Sequence, residues 1–246
     1  MKPSPNWRIH DKNFIRKSSR HKLEPGAVNF SSGWLAQGHT VRVKFNSLSL
    51  TKLLATQSKQ FPILPSFNLR SQLHMGGPRW MKLSNEIEKF LNLTLSLIHP
   101  ELFKCGLEIL QKLRQSELTK EIALEWQSVY TGIAIICNRI TPSHRDTKGR
   151  LEWYDTLLNY SGSGTRPQLL IKDLGLELKY SSGTVVSLCG TALEHEVRHW
   201  GGGDRVCYAH FMRESVRKRL DVSPAGWVSR QTYLPDEICE DVMDVE

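Results

Sequence analysis

The sequence predicts an α+β protein in which a helical N-terminal half packs on an antiparallel C-terminal β-sandwich or barrel. Between residues 83 and 113 apolar side chains recur every three or four positions, which is the period of an amphipathic helix. After Tyr130 the pattern changes to short apolar segments separated by glycine or proline. The later segments have no helix-sized insert between them, which favours antiparallel pairing.

The helical half is predicted to contain two main helices. Ser84 is the expected N-cap of the first, whose apolar face is formed by Ile87, Phe90, Leu91, Leu95 and Ile98. Pro100 suits the first turn of the second helix, because proline lacks the N–H that this position leaves unpaired. Shorter helices are predicted within residues 48–58 and 117–126.

The second half is predicted to be mostly strands. Their expected positions are residues 132–137, 168–171, 176–180, 184–188 and 205–212, with an earlier strand at 41–45. We expect one domain over residues 27–225, with a helical layer at about 47–126 and a β core at about 128–213. A basic arm, residues 1–26, precedes it and an acidic tail, residues 226–246, follows.

The positive charge of the chain is concentrated near its N-terminus, which indicates what kind of partner the protein binds. The formal net charge is +8, and the first 25 residues hold seven of the basic side chains: Lys2, Arg8, Lys12, Arg16, Lys17, Arg20 and Lys22. A basic arm on a globular body is typical of a polyanion binder, although a solvated flexible arm has the same composition. No apolar run of about 18 residues predicts a membrane span, and we expect no signal peptide. The five scattered cysteines favour a reducing compartment, the cytosol or the nucleus.

The segment His144-Arg145-Asp146 is the first candidate metal site. In extended backbone residues 144 and 146 project to the same face, so both side chains can bind one ion. A second histidine, His195, follows the strand predicted at 184–188. Two histidines and one carboxylate leave part of an octahedron open, which is the arrangement of non-haem iron(II) oxygenases. A surface histidine beside an aspartate is the simpler alternative for the first segment alone.

Arg205, ten residues after His195, is the candidate cosubstrate residue. Its guanidinium can hold a carboxylate through two parallel hydrogen bonds, as the distal carboxylate of 2-oxoglutarate requires. Two other motifs overlap the same segments. Residues 195–199 also read as the zinc-protease pattern HExxH, but Arg205 stands where the longer form of that pattern has its third ligand. Residues 144–146 spell the kinase HRD, but Leu151 replaces the asparagine that a kinase needs.

The order and spacing of these motifs resemble the 2-oxoglutarate/iron(II) dioxygenase superfamily. Three stretches, around His144-Arg145-Asp146, Ser182-Gly183-Thr184 and Arg205-Val206-Cys207-Tyr208-Ala209-His210-Phe211, resemble the TET/JBP nucleobase oxygenases, in particular their fungal (basidiomycete) branch. The resemblance covers roughly residues 60–216. It implies a double-stranded β-helix (jelly-roll) core with the helical layer packed on one face.

The resemblance also implies roles for individual residues. His144, Asp146 and His195 would bind Fe(II), and Arg205 would bind 2-oxoglutarate. Three further residues are assigned to the cosubstrate pocket: Arg139 as a second arginine, with its neighbour Asn138, and Cys207. Four are assigned to the substrate: Phe211 as the aromatic on which a flipped base stacks, Arg213 and Asp155 as polar contacts to that base, and Asn68. Relatives often carry Asn or Asp three residues after the metal-binding aspartate, and this chain has Gly149 there.

The expected function is oxidation of a methylated base in double-stranded DNA by a monomeric nuclear enzyme. The first candidate is 5-methylcytosine, oxidised to 5-hydroxymethylcytosine and further forms. N6-methyladenine demethylation is the second candidate, and a DNA-binding module with a degenerate site is a third. Arg70, Arg79, Lys148 and Arg150 are candidate phosphate contacts, because flipping a base out of a duplex requires a grip on the strand. The same site could serve a protein hydroxylase or an AlkB-type repair enzyme, and the second is disfavoured because Phe211 stands where such enzymes have a second arginine.

Overall fold

The computed structural model describes residues 11–15, 19–35, 63–65, 76–162 and 166–233. The helices within these ranges are α1 (Gly76–Ile98), α2 (Pro100–Gln115), α3 (Lys120–Glu125) and α4 (Glu214–Arg219). The strands are β1 (Gly26–Phe30), β2 (Trp34–Leu35), β3 (Ile63–Leu64), β4 (Gly132–Cys137), β5 (Thr141–His144), β6 (Asp155–Ser161), β7 (Gln168–Ile171), β8 (Leu176–Lys179), β9 (Val185–Leu188), β10 (His195–Val197) and β11 (Arg205–Phe211). The strand predicted at 41–45, the helix predicted at 48–58, and Asn68 and Arg70 lie outside the described residues.

Two antiparallel sheets form the β core. One has the strand order β1-β4-β11-β6-β9 and the other β5-β10-β7-β8. Apart from the β7–β8 hairpin, consecutive strands from β4 to β11 alternate between the two sheets. This winding is that of a double-stranded β-helix, so the predicted α+β jelly-roll fold is confirmed. The strand β1, which adds to one edge by pairing with β4, was not predicted.

The helices cover one face of the five-stranded sheet. Leu95, Leu102, Ile109 and Leu113 from α1 and α2 join Ile133 of β4 in the larger hydrophobic core. Burying a leucine fully stabilises the fold by about 1.5–3 kcal/mol, so these contacts hold the two helices against the sheet. A smaller core of Leu169, Ile171, Tyr180 and Val197, with partly buried Leu157 and Val186, belongs to the β half.

The second helix begins as predicted, whereas the start of the first was predicted wrongly. Pro100 opens α2, and the buried side chain of His99 caps it by accepting a hydrogen bond from the Leu102 N–H at 3.3 Å. Helix α1 begins at Gly76, and Ser84 lies inside it with its hydroxyl donating to the Met81 carbonyl. Phe90, predicted on the buried face, is 58% exposed. The reason is that α1 carries apolar residues on two faces, and the one that contains Leu91 and Leu95 is buried.

Part of the basic arm is attached to the β core. Phe14 forms a bridge with Arg139, and the Ile15 N–H donates to the Asn138 carbonyl at 2.8 Å. The backbone N–H groups of Lys22 and Leu23 both donate to the Asp204 carboxylate. The described parts of residues 1–26 therefore lie against the end of β4 and the start of β11.

The start of the acidic tail is also packed. A short 3-10 helix spans Arg230–Thr232, and the Tyr233 hydroxyl donates to the Ile98 carbonyl at the end of α1. No helix in the described part of the chain is long and apolar enough to cross a membrane.

Candidate metal centre

The two histidines and the aspartate predicted as metal ligands meet at one point. His144 ends β5 and His195 begins β10, and the two residues face each other in the antiparallel register. One oxygen of Asp146 lies 3.7 Å from His144 Nε2 and the other 3.8 Å from His195 Nε2. The candidate ligand atoms of all three residues lie within 4.8 Å of one another. The structure therefore brings together the set expected from the sequence.

Backbone carbonyls hold both histidine rings in the form that binds metal. Nδ1 of His144 lies 2.9 Å from the Pro142 carbonyl oxygen, and Nδ1 of His195 lies 3.0 Å from the Leu193 carbonyl oxygen. Because a carbonyl oxygen only accepts, each Nδ1 carries the proton and donates it. In the neutral imidazole, each Nε2 then keeps a lone pair for the shared point, as a metal-binding imidazole requires.

Gly190 makes room for the carboxylates at this point. Its carbonyl accepts a hydrogen bond from the Asp146 N–H at 2.8 Å. A Cβ on residue 190 would lie 2.8 Å from Asp146 Oδ2 and 2.5 Å from Asp155 Oδ2, so a side chain would displace both oxygens. Asp155, predicted to contact substrate, thus lies beside the metal ligand Asp146. Removal from water, and next the negative charge of Asp146, raise the pKa of Asp155 well above its usual value, and Arg213 opposes the shift.

An ionic clamp that the sequence did not predict holds the loop before His195. Arg145, between two of the metal ligands, donates to the Ala192 carbonyl at 2.8 Å and to Asp173 at 2.6 Å. The other oxygen of Asp173 accepts the Glu194 N–H at 2.5 Å, and this bond, followed by Arg145, lowers the pKa of Asp173. The side chain of Glu194 accepts a hydrogen bond from the Ser143 hydroxyl. The strand bearing His144 and the loop leading to His195 are therefore fastened to each other.

Arg205 is buried, and two aromatic rings lie against its guanidinium. It is 2% exposed, with its guanidinium carbon 5.3 Å from the Tyr180 ring centroid and 5.5 Å from that of Trp200. Its Nε has no hydrogen-bond partner among the residues that the structure describes. A buried charge is costly unless an opposite charge or hydrogen bonds satisfy it, so this position suits an anionic ligand.

Asn138 contacts Arg205, and Cys207 contacts Tyr180, whose ring lies against Arg205. The cosubstrate roles of Asn138 and Cys207 stay predictions. The Asn138 side chain accepts the Arg205 N–H at 2.8 Å, and its own N–H donates to Asp204. The Cys207 sulfur lies 3.8 Å from the hydroxyl of Tyr180. Arg139 is nearly buried at the end of β4, where its backbone pairs with Phe14. Its contact with a cosubstrate stays a prediction.

The residues predicted to contact the substrate form one cluster, apart from Asn68, which is outside the described residues. The guanidinium carbon of Arg213 lies 4.4 Å from the centre of the Phe211 ring. Arg213 also interacts electrostatically with Asp155. Gly149 packs closely, since a Cβ there would lie 3.1 Å from Thr191 Oγ1. A side chain at position 149 would need the Thr191 hydroxyl to shift by a few tenths of an ångström.

The protease interpretation of residues 195–199 is wrong. His195–Val197 is a strand, not the helix that places the two histidines of HExxH on one face. His199 is exposed, and its ring nitrogen accepts the Gly201 N–H at 3.1 Å. Glu196 forms ion pairs with Lys172 and Arg198. These side chains have structural partners instead of a zinc ion.

The triad and Arg205 fit Fe(II) and 2-oxoglutarate. Two neutral imidazole nitrogens and a carboxylate are ligands that Fe(II) accepts, and they leave room for a chelating cosubstrate. The buried Arg205 guanidinium supplies the charge and fork geometry for a carboxylate. The site thus contains the two parts that an oxygenase of this kind needs.

Two solved structures resemble parts of this chain. "NgTET1 in complex with 5mC DNA" has 14% sequence identity and a TM-score of 0.47, over 73% of this chain and 64% of that chain. A Cupin 2 conserved barrel domain protein from Salinispora arenicola has 17% identity and a TM-score of 0.27, over 37% of this chain and 69% of that chain. The chain therefore spans less than two thirds of the NgTET1 chain. No curated protein matches it.

A family model gives the broader relationship. The model of the Tet_JBP family, described as the oxygenase domain of the 2OGFeDO superfamily, matches residues 65–214. The match includes the triad, Arg205 and the substrate cluster. It concerns the family as a whole, so membership of the fungal branch stays a prediction. Because the match spans more than half of the chain, the chain belongs to the TET/JBP family of oxygenases, whose cofactors are Fe(II) and 2-oxoglutarate.

Proposed function

We propose that this protein is a 2-oxoglutarate- and Fe(II)-dependent dioxygenase that oxidises a methylated base in DNA. The observation that carries the proposal is the position of the cluster Phe211, Arg213 and Asp155, which adjoins the metal ligand Asp146. An aromatic ring, a planar cation and a carboxylate supply stacking and hydrogen bonding, which are the interactions that recognise a flipped base. Membership of the TET/JBP family supports the same substrate class.

Different residues of the chain have different roles in such a reaction. When bound, Fe(II) and 2-oxoglutarate supply, with dioxygen, an oxidant that hydroxylates a C–H bond and leaves succinate and carbon dioxide. His144, Asp146 and His195 hold the metal through lone pairs that their backbone hydrogen bonds keep available. Arg205 holds the distal carboxylate of 2-oxoglutarate. The Tyr180 and Trp200 rings exclude water from Arg205, which strengthens that ion pair.

The first candidate substrate is 5-methylcytosine, converted to 5-hydroxymethylcytosine and further oxidised forms. Cytosine presents an amino donor beside ring acceptors, and the Asp155 carboxyl group offers an acceptor for that amino group. N6-methyladenine presents an N–H donor beside a ring acceptor, so it is the second candidate. A DNA-binding module with a degenerate site is disfavoured because the whole triad and Arg205 are in place.

A base in a duplex must be flipped out to reach the metal centre, and protein contacts to the phosphates must hold the strand in that state. Lys148 is exposed two residues after Asp146 and is the best-placed phosphate contact. Arg150 is a weaker candidate, because it forms ion pairs with Glu152 and Glu214. The basic arm would add attraction to DNA. We expect a monomer that acts in the nucleus, where such a substrate is found.

Mass spectrometry of nucleosides tests this proposal. Duplexes carrying 5-methylcytosine, N6-methyladenine or neither are incubated with protein, Fe(II), 2-oxoglutarate and air, and then digested. We expect one methylated base to be converted, either 5-methylcytosine to an oxidised base or N6-methyladenine to adenine with release of formaldehyde. The conversion should depend on 2-oxoglutarate and be abolished by His144→Ala. Normal DNA binding with both methylated bases unchanged would support the binding-module alternative, and conversion by His144→Ala would contradict the assigned metal site.

A further inference from the structure

The Phe211 ring is covered on one side by the neighbouring strand. Gly132 of β4 is its cross-strand partner in the antiparallel register. A Cβ on residue 132 would lie 2.4 Å from Phe211 Cε2 and 2.8 Å from Cζ. The ring therefore packs against the bare backbone of Gly132, and a base cannot reach it from that side.

Arg213 occupies a face of the same ring. Its guanidinium carbon lies 4.4 Å from the ring centre, the distance of a stacked cation–π pair. The backbone N–H of Arg213 donates to the Thr131 hydroxyl at 2.9 Å, which fixes the start of the side chain next to β4. On the side of the metal centre, the guanidinium interacts electrostatically with Asp155. Phe211, Thr131 and Asp155 thus hold the cation over the ring.

We propose that a flipped base stacks on the Arg213 guanidinium, with Phe211 as the support beneath it, and not directly on the Phe211 ring. This inference rests on the proposed function. It replaces the two roles implied by the family resemblance, in which Phe211 stacks on the base and Arg213 contacts its edge. A guanidinium is planar and stacks on nucleobases as well as on aromatic rings, so it can lie between the Phe211 ring and a base. In this arrangement Asp155 makes the hydrogen bond to the edge of the base.

A stacking role differs from an edge contact in what it discriminates. Every base has a π face, so loss of a stacking surface weakens binding of different bases alike. Loss of an edge contact weakens binding mainly of the base whose edge it reads. Lysine keeps the charge and the hydrogen-bond donors of arginine but has no plane. Arg213→Lys and a comparison of two bases therefore separate the two roles.

The experiment measures how much the base itself contributes to binding. Affinities are determined for duplexes carrying 5-methylcytosine, N6-methyladenine or an abasic site at one position. The protein is loaded with Mn(II) and an unreactive 2-oxoglutarate analogue, so nothing turns over. The quantity of interest is the preference for each base over the abasic site. Arg230→Ala is the matched control, because it also removes one positive charge, from an exposed position in the 3-10 helix near the C-terminal end of the described residues.

We expect Arg213→Ala to reduce the preference for both bases by a similar factor, roughly tenfold, as is typical for loss of one stacking contact. Arg213→Lys should not restore it, and Arg230→Ala should leave it unchanged. Bound Mn(II) in each variant confirms that the site is intact. An unchanged or increased preference in Arg213→Ala would overturn the inference, because the uncovered Phe211 ring would then suffice. Rescue by lysine, or a loss confined to one base, would also overturn it in favour of an edge contact.

The failure of the proposed function has a different signature. If the unaltered protein binds neither methylated duplex better than the abasic one, base recognition itself is refuted, and this inference with it. If the unaltered protein shows the preference and the Arg213 variants keep it, the proposed function stands and only the stacking role of Arg213 is refuted.

Discussion

Replacing Gly190 by alanine should damage the metal site by a steric effect alone. The added Cβ would lie 2.8 Å from Asp146 Oδ2, whereas ordinary contacts begin at 3.4 Å, so this oxygen must retreat by the difference, about 0.6 Å. Metal–ligand distances tolerate only about 0.2 Å. Displaced ligands and their supports typically cost about 10–100-fold in metal affinity, which is the loss we expect here. Since Gly190 does not have a positive φ, alanine adds no backbone strain.

Titration of the metal-free protein with Co(II), followed by visible absorption, measures this loss without any turnover. Gly226→Ala is the matched control, because a Cβ there would meet nothing within 4 Å. We expect Gly226→Ala to bind Co(II) as the unaltered protein does. Affinity within about twofold of that value in Gly190→Ala would refute the reasoning, since Asp146 would then accept the methyl group at no cost to the metal.

Three further predictions concern buried groups. Arg205→Ala should weaken 2-oxoglutarate binding by at least about 30-fold, because it removes one partner of a buried charge pair. Quenching of tryptophan fluorescence by the cosubstrate measures this affinity, and an unchanged value would exclude Arg205 from that role. His210→Ala should lower the free energy of unfolding by about 3 kcal/mol. The reason is that the Glu88 carboxyl, which lies 3.0 Å from His210 Nε2, would stay buried without its partner. A loss of less than about 1 kcal/mol in urea unfolding would contradict this prediction. His99→Asn, which keeps a capping side chain, should make stability less sensitive to acid.

The sign of the His99 effect follows from its burial. Burial lowers the pKa of His99 below 6.5, so the folded protein keeps the ring neutral while the unfolded chain takes up a proton. Stability therefore falls as the pH drops below about 6.5, until the folded pKa is reached. Urea unfolding at several pH values should show a shallower fall in His99→Asn. An equally steep fall would assign the effect to other groups.

Much of the β core was predictable because its signals are local. The apolar run at 132–137 and the strand at 168–171 are found at the predicted positions, since each is a short buried stretch bounded by turn-forming residues. The spacing of His144 and Asp146 was sufficient to predict that both could bind one ion. Arg205 was predictable because it opens the strand predicted at 205–212, ten residues after His195, and because an arginine fork matches a carboxylate.

The unpredicted features depend on contacts between distant parts of the chain. The clamp formed by Arg145, Asp173 and Glu194 joins three loops, and its only sequence signal is an arginine between two metal ligands. Helix α1 could not be oriented from its pattern, because Phe90 and Leu91 are both apolar and only packing shows which is buried. The stacking of Arg213 on Phe211 likewise depends on Gly132, 79 residues earlier in the chain, which leaves space for the ring.

The most direct test of the metal assignment is anaerobic titration with Fe(II) in the presence of 2-oxoglutarate. Coordination of the keto acid to Fe(II) produces a visible absorption band that reports the metal and the cosubstrate together. We expect the band to saturate at one Fe(II) per chain, to be lost in Asp146→Ala, and to persist in Glu117→Ala, which removes an exposed carboxylate. A band of full intensity in Asp146→Ala, or no band in the unaltered protein, would contradict the assignment of His144, Asp146 and His195 as the Fe(II) site.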